Sequence, residues 1–175
     1  MDRLTLRPAR ETDVPALLEI YNYYVRCTAV TFDLEPAEPQ DFARKLKTIQ
    51  AAYPCLVAER DGVILGYAYA GPFVGRAAYA LSVETTIYLD PDHRGEGIGR
   101  ALYTRLEREL AEQGILNLYA CIGYPETPDE YLTTASAEFH AAMGYRLVGR
   151  FRKCGRKFDR WYDMIWMEKF IGDHP

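Results

Sequence analysis

The heptapeptide Arg94-Gly95-Glu96-Gly97-Ile98-Gly99-Arg100 is the segment whose residue types and spacing point most directly to chemistry. It follows Ile87-Tyr88-Leu89-Asp90-Pro91-Asp92-His93 and lies between a predicted strand and a predicted helix. Glycines let a backbone approach a ligand closely, and the amide hydrogens at a helix start are unpaired and point outward. With the positive end of the helix dipole they form an anion cradle, to which Arg94 and Arg100 add charge. A pyrophosphate is the natural occupant. The Gly-Lys-Ser/Thr of a Walker loop is absent, and a dinucleotide loop requires G-x-G-x-x-G early in a repeated strand-helix unit. The spacing here is Arg-x-x-Gly-x-Gly. An ordinary glycine-rich turn is the competing reading, and the strand-loop-helix context speaks against it.

The elements that must position this loop follow from periodicity. Val83, Thr85, Ile87 and Leu89 alternate with Glu84, Thr86 and Tyr88, so the strand before the loop turns Glu84 to the opposite face from its apolar residues. From Gly99 to Gln113, Leu102, Leu106 and Leu110 recur at helical spacing, and Gly114 is suited to end that helix in the left-handed conformation. Upstream, a strand at Arg3 to Arg7 precedes a helix capped by Thr12 and Asp13, with Val14, Leu17, Leu18, Tyr21 and Val25 on its apolar face. Cys27 to Pro39 reads as a loop, and Pro39 to about Ala52 as a helix carrying Phe42, Leu46 and Ile49. Cys55 to Glu59 and Val63 to Ala70 flank Asp61-Gly62, a dipeptide made for a two-residue hairpin turn. Downstream come a strand at Ile115 to Ile122, a polar loop, a short helix at Thr133 to Met143 closed by Gly144, and strands at Arg146 to Arg152 and Trp161 to Phe170. The order predicts one α/β domain over residues 1–175, a mixed sheet with helices on both faces.

Composition narrows the classes. The 175 residues suit one domain, and 49% hydrophobic with 26% charged is ordinary for a globular chain. The net charge of -4 argues against general attraction to nucleic acid. Charges interrupt the first residues, so a secretory leader is not expected, and no apolar run suits a bilayer. A cytoplasmic protein without a membrane partner is the expectation. Cys27, Cys55, Cys121 and Cys154 lie far apart, form no metal-binding spacing with the histidines, and read as small reduced core groups; no metal is expected. The basic run Arg150 to Arg160 reads as a solvated hairpin or loop.

At the Arg-x-x-Gly-x-Gly loop the sequence resembles the GNAT superfamily of acyl-CoA N-acyltransferases. Reading outward, Thr31-Phe32, Glu35-Pro36, Ala68-Tyr69-Ala70-Gly71-Pro72, Arg76 with Tyr79, Glu84-Thr85-Thr86-Ile87-Tyr88, Leu102-Tyr103-Thr104 and Phe158 to Asp163 are similar to its phosphinothricin N-acetyltransferase branch. The similarity runs from about Leu4 to Met167. It implies the GNAT α/β fold, acetyl-CoA as cosubstrate, a small-molecule amine or amino-acid analogue as acceptor, direct attack in a ternary complex, and a homodimer with the acceptor site near the subunit contact.

The resemblance also assigns residues. Glu84 matches the family's general base, which must relieve an ammonium of reference pKa about 10 of its proton before it attacks the thioester. A solvated glutamate is the alternative. Ile87, Tyr88 and Leu89 meet the donor, with main-chain amides near Tyr88 and Leu89 donating to the charge that grows on the carbonyl oxygen. Arg94, Gly95, Glu96, Gly97, Ile98, Gly99 and Arg100 hold its pyrophosphate. His140, four residues before Gly144, stands where related enzymes carry an acid for the leaving thiolate; an exposed helix histidine is the alternative. Phe32, Arg76 and Tyr79 are the substrate-side candidates, Arg76 as a fork for a carboxylate, with purely structural roles as the alternative. One departure stands out. The branch has a short Asn-x-x-Ser segment before its last helix, whereas this chain has the longer Tyr124 to Ser136, with Thr133 in the Asn position and Ser136 matching. Acetyltransferases for protein N-termini or polyamines, and a non-catalytic acyl-CoA sensor, are the alternative functions.

Overall fold

Asp61 and Gly62 close their hairpin with φ of 52° and 79°, the positive values that a two-residue turn between right-twisted strands requires. They join two strands of a seven-stranded sheet in a computed structural model that describes residues 4–175. The strands are β1 (Thr5–Pro8), β2 (Cys55–Arg60), β3 (Val63–Pro72), β4 (Ser82–Leu89), β5 (Asn117–Tyr124), β6 (Arg146–Lys157) and β7 (Arg160–Phe170). Their order is β1-β2-β3-β4-β5-β7-β6, and every pair is antiparallel except β4 with β5. The helices are α1 (Val14–Cys27), α2 (Pro39–Gln50), α3 (Ile98–Glu112) and α4 (Ala135–Ala142). Arg3, expected to begin the first strand, lies outside the described residues.

Two cores sandwich the sheet. On one face α3 buries Leu102, Leu106 and Leu110 completely against Leu56, Leu65, Val83 and Leu118. On the other, α1 and α2 close over an aromatic layer in which Tyr67 and Tyr88 lie 5.7 Å apart and Tyr21 meets the edge of Tyr88 at 5.3 Å. The helices therefore cover both faces, as the order of elements predicts. Gly114 and Gly144 take φ of 84° and 91° just past α3 and α4, the stop conformation expected of the first.

The pairing of β4 with β5 is the unusual feature. It extends over three rungs, Ser82 to Glu84 against Asn117 to Tyr119. Beyond that, β4 stays with β3 to Leu89, and β5 stays with β7 to Tyr124. The two central strands part, and backbone groups that a sheet would consume face a gap.

Several expectations are corrected. Asp13 does not cap α1. A 3₁₀ turn at Glu11–Asp13 precedes that helix, and the Asp13 carboxylate instead accepts two hydrogen bonds from Arg7, at 2.7 and 2.9 Å, and one from the Arg10 amide at 2.7 Å. Those contacts hold its carboxyl below the usual range. Of the four cysteines only Cys55 is buried, and all four are free. The basic run is a hairpin, closed by Phe158 and Asp159 at φ 51° and 59°, but β6 continues through two irregularities to Lys157, and Lys157 is buried. Its ammonium donates to the Thr31 carbonyl at 2.9 Å, tying the hairpin to the loop after α1.

Truncating Leu106 to Ala removes a fully buried side chain at the centre of the α3 face. It should lower unfolding stability by about 2–5 kcal/mol with the denaturant slope unchanged, as measured by urea titration.

Candidate active site

The parting of β4 and β5 opens a cavity of about 330 Å³. Thr85 to Leu89 form one wall and Ala120 to Gly123 the other; Thr133, Ser136, Phe139 and His140 close it from the α4 side, and Arg94 and Gly95 stand at its mouth. Thus Ile87, Tyr88, Leu89, Arg94, Gly95, Thr133, Ser136 and His140, scattered over the sequence, line one space. The longer segment before α4 still brings Thr133 and Ser136 to the cavity.

Beside the mouth the loop has the form expected of an anion cradle. Gly95 and Gly97 sit at φ 79° and 80°, and a Cβ on either would meet nothing within 4 Å. Their conformation and the space over them suit close approach of a ligand to the backbone. Gly97 is the residue from which α3 starts, with Ile98 and Gly99 buried in its first turn and Arg100 exposed. The Glu96 carboxylate takes no part, since it accepts from Arg60 at 2.8 Å. Arg94 is held by a residue that sequence reasoning passed over. Tyr24 donates to the Leu89 carbonyl at 2.6 Å, accepts from Arg94 at 3.2 Å, and lies under the guanidinium with its ring centre 5.3 Å away. Tyr24 lies off the apolar stripe of Val14, Leu17, Leu18, Tyr21 and Val25 by which the sequence located α1.

The cavity's inner end is a cluster of hydroxyls. The Thr85 hydroxyl lies 3.1 Å from that of Tyr145, and the Tyr103 hydroxyl lies 3.0 Å from Nε2 of His140. Nδ1 of His140 is 2.7 Å from the Ser136 carbonyl, which can only accept, so Nδ1 carries the proton and Nε2 accepts from Tyr103. Burial lowers the imidazole pKa to about 4, against a partial opposing effect of the Ser136 carbonyl. His140 is therefore a buried neutral imidazole and not an exposed helix histidine. An imidazolium acid does not fit this site at neutral pH.

Glu84 occupies the last paired rung, opposite Tyr119, and by strand alternation its side chain leaves on the α1–α2 face with Thr86 and Tyr88. It is half-buried. Desolvation raises its pKa above the ordinary carboxylate value, while the charge of Lys45 acts the other way. Phe32, Arg76 and Tyr79 do not line the cavity. Phe32 is half-buried, with its ring 6.4 Å from Tyr162 and against Gly155 of β6. Arg76 and Tyr79 lie exposed on the loop between β3 and β4, Tyr79 with its edge to Phe73 at 5.9 Å.

Comparison with known proteins meets this geometry. Residues 6–166 match the family model for the acetyltransferase (GNAT) domain. The chain belongs to the GNAT acetyltransferase family. It is 39% identical to a phosphinothricin N-acetyltransferase of Streptomyces viridochromogenes over 94% of this chain and 87% of that one. It is 31% identical to an L-methionine sulfoximine/L-methionine sulfone acetyltransferase of Salmonella typhimurium, over 98% and 96%. Among solved structures, a GNAT phosphinothricin acetyltransferase of Sinorhizobium meliloti in complex with acetyl-CoA superposes with a TM-score of 0.88 at 34% identity, covering 97% of this chain and 89% of that one. This protein is an acetyl-CoA-dependent N-acetyltransferase with the GNAT fold.

The residues present fit that cosubstrate. The two glycines leave an open cradle at the α3 start, and the gap between β4 and β5 gives an acyl arm a path from the cradle toward the Glu84 rung. Among the described residues no helix is long and apolar enough to cross a membrane, and no cluster of potential metal ligands occurs.

The state of His140 gives a signed prediction. Its native pKa of about 4 lies below the ordinary imidazole value of 6.5, so the unfolded chain binds the extra proton. Stability is lost as pH falls from 6.5 toward 4, by on the order of 2–4 kcal/mol. Urea titrations at pH 7 and 4.5 should show a smaller loss for His140→Gln than for the parent protein; equal losses would contradict the neutral assignment. At the cradle, Gly97→Ala forces a side chain into the left-handed region and should raise the acetyl-CoA Kd about tenfold by calorimetric titration.

Proposed function

We propose that the enzyme acetylates the primary amine of a small amino acid or amino-acid analogue of the phosphinothricin or methionine sulfoximine kind, by direct attack within a ternary complex. The observation that carries this reading is the position of Glu84. It stands on the last rung before β4 and β5 part, half-buried, with desolvation raising its proton affinity against the opposing charge of Lys45. A carboxylate so placed, at the inner end of the gap and on the face away from the cradle, is suited to take a proton from an ammonium approaching from the α1–α2 side. The names of the relatives in Streptomyces viridochromogenes and Salmonella typhimurium support the acceptor class.

Each group then has one task. The loop Arg94 to Arg100 holds the pyrophosphate, and Tyr24 keeps Arg94 aimed at it. Acetyl-CoA supplies the acetyl group as a thioester. Of the main-chain amides near Tyr88 and Leu89, that of Tyr88 faces β3, and that of Leu89, on the free side of β4, donates to the charge that grows on the carbonyl oxygen. Tyr103 and His140 serve the leaving thiolate: the neutral imidazole orients the phenol, whose proton passes to the thiolate, and the phenolate left behind is reprotonated from solvent. Arg76 takes the acceptor's carboxylate, since a guanidinium fork matches it in two places, and Phe32 and Tyr79 border the acceptor.

The chain functions as a homodimer. The half of the sheet beyond β5 offers what a second copy would cover: Leu147, Val148, Phe151 and Trp161 are large apolar residues more than half exposed on β6 and β7. Beside them Phe73 stacks on Tyr119 at 4.1 Å and meets Trp166 at 5.5 Å. Sedimentation at micromolar concentration should give twice the chain mass, and a monomer would remove this part of the account.

Thiol release from acetyl-CoA, followed across phosphinothricin, methionine sulfoximine, methionine sulfone, polyamines and short peptides, tests the acceptor class. Release should be confined to the amino acids, and Glu84→Gln should lower kcat/KM by about 10²–10⁴-fold. In the parent enzyme the acid limb of kcat/KM should lie above the ordinary carboxylate value of 4.5, with activity lost as pH falls through the raised pKa. Turnover of polyamines or peptides alone would transfer the enzyme to another acceptor class.

A further inference from the structure

Most cations around the acceptor face are already engaged. Arg150 pairs with Asp163 at 2.5 Å, Arg160 with Asp129 at 2.9 Å, Lys153 with Glu126 at 3.9 Å, and Lys157 donates to the Thr31 carbonyl. On α2 the neighbouring Arg44 is paired with Asp41. Lys45 differs from all of these. No carboxylate is recorded within ion-pair distance of it among the described residues, and two aromatic rings hold it instead: its ammonium lies 5.7 Å from the ring centre of Tyr69 and 5.8 Å from that of Tyr21. The other acid at this face, Asp33, accepts the Tyr21 hydroxyl.

The strand register says where this ammonium stands. Tyr69 of β3 pairs with Thr86 and Gly71 pairs with Glu84, so Tyr69 and Glu84 emerge on one face, one side-chain step apart. Lys45, over Tyr69, is close enough for its charge to be felt at the Glu84 carboxyl. Continuing along β3 past Gly71 leads to the exposed loop that carries Arg76. Glu84 thus has a free ammonium on one side along β3, and the exposed loop of Arg76 follows on the other.

We infer that Lys45 binds a second anionic group of the acceptor, and that the enzyme therefore favours amino acids whose side chain ends in an acid over isosteres whose side chain ends neutral. The inference rests on the acceptor class proposed above and adds the residue that discriminates within it. An amino acid with an acidic tail presents three charges, and the face presents three complements: Glu84 for the ammonium, Arg76 for the α-carboxylate and Lys45 for the tail. A neutral sulfone leaves Lys45 unused. The two tyrosine rings restrict the lysine stem in advance, which lowers the ordering cost of binding. Lys45 is exposed on α2, so its replacement leaves no cavity.

The test compares kcat/KM for phosphinothricin, with its anionic phosphinate, and for methionine sulfone, in the parent enzyme, Lys45→Met and Lys45→Arg. The phosphinothricin-to-sulfone ratio should fall about fivefold or more in Lys45→Met, through KM and not kcat, and recover in Lys45→Arg. A ratio that moves by less than that, or by the same amount in both variants, overturns the role of Lys45 while the parent enzyme's turnover of either amino acid upholds the acceptor class. A parent enzyme that turns over neither overturns both.

Discussion

The structure depends on one constraint, the loss of pairing between β4 and β5 after the rung of Glu84 and Tyr119. A continuous sheet would seal one face from the other. Because the strands part, a cavity opens beside the α3 start, and Glu84 stands on the rung where the gap begins, outside the cavity's lining and on the α1–α2 side. Main-chain groups of β4 and β5 that face the gap lack a ladder partner, which is where a reaction that develops charge on oxygen needs donors. The parting is held open by packing and is not a defect. Thr85 leans on the Tyr119 carbonyl and the Tyr145 hydroxyl at its base, while Tyr24 fastens the far end of β4 through the Leu89 carbonyl.

Two polar clusters sit on opposite sides of that gap with opposite electrostatics. Burial disfavours charge on both His140 and Glu84, but the outcomes differ because their charged forms differ in sign. His140 is kept neutral and committed to Ser136 and Tyr103, whereas Glu84 gains affinity for a proton, with Lys45 opposing the shift. In the proposed reaction the side that neutralises a thiolate thus carries hydroxyls ordered by an imidazole, and the side that accepts a proton carries a carboxylate.

Much of this was legible in the sequence, and the rest was not for identifiable reasons. The Arg-x-x-Gly-x-Gly loop, the Leu102, Leu106 and Leu110 stripe and the Asp61-Gly62 turn are local patterns, and local geometry honours them. The face of Glu84 followed from strand alternation alone. Tyr24, Tyr103 and Lys45 were not singled out for chemistry because each sits on a helix where its spacing reads as core or surface, and their partners are Arg94, His140 and Tyr69, far away along the chain. The same holds for Asp13, whose place before a helix suggested a cap until Arg7 on the neighbouring strand claimed it. The exposure of Cys27, Cys121 and Cys154 shows how weakly residue type alone fixes burial.

The central claim is that the gap lets an amine attack a thioester directly, with both substrates bound at once. Initial velocities measured over a grid of acetyl-CoA and acceptor concentrations test it most simply. Double-reciprocal lines that intersect would accord with a ternary complex. Parallel lines, together with an acetylated enzyme isolable before the acceptor is added, would contradict it and would turn attention to Cys121, one of the residues lining the cavity.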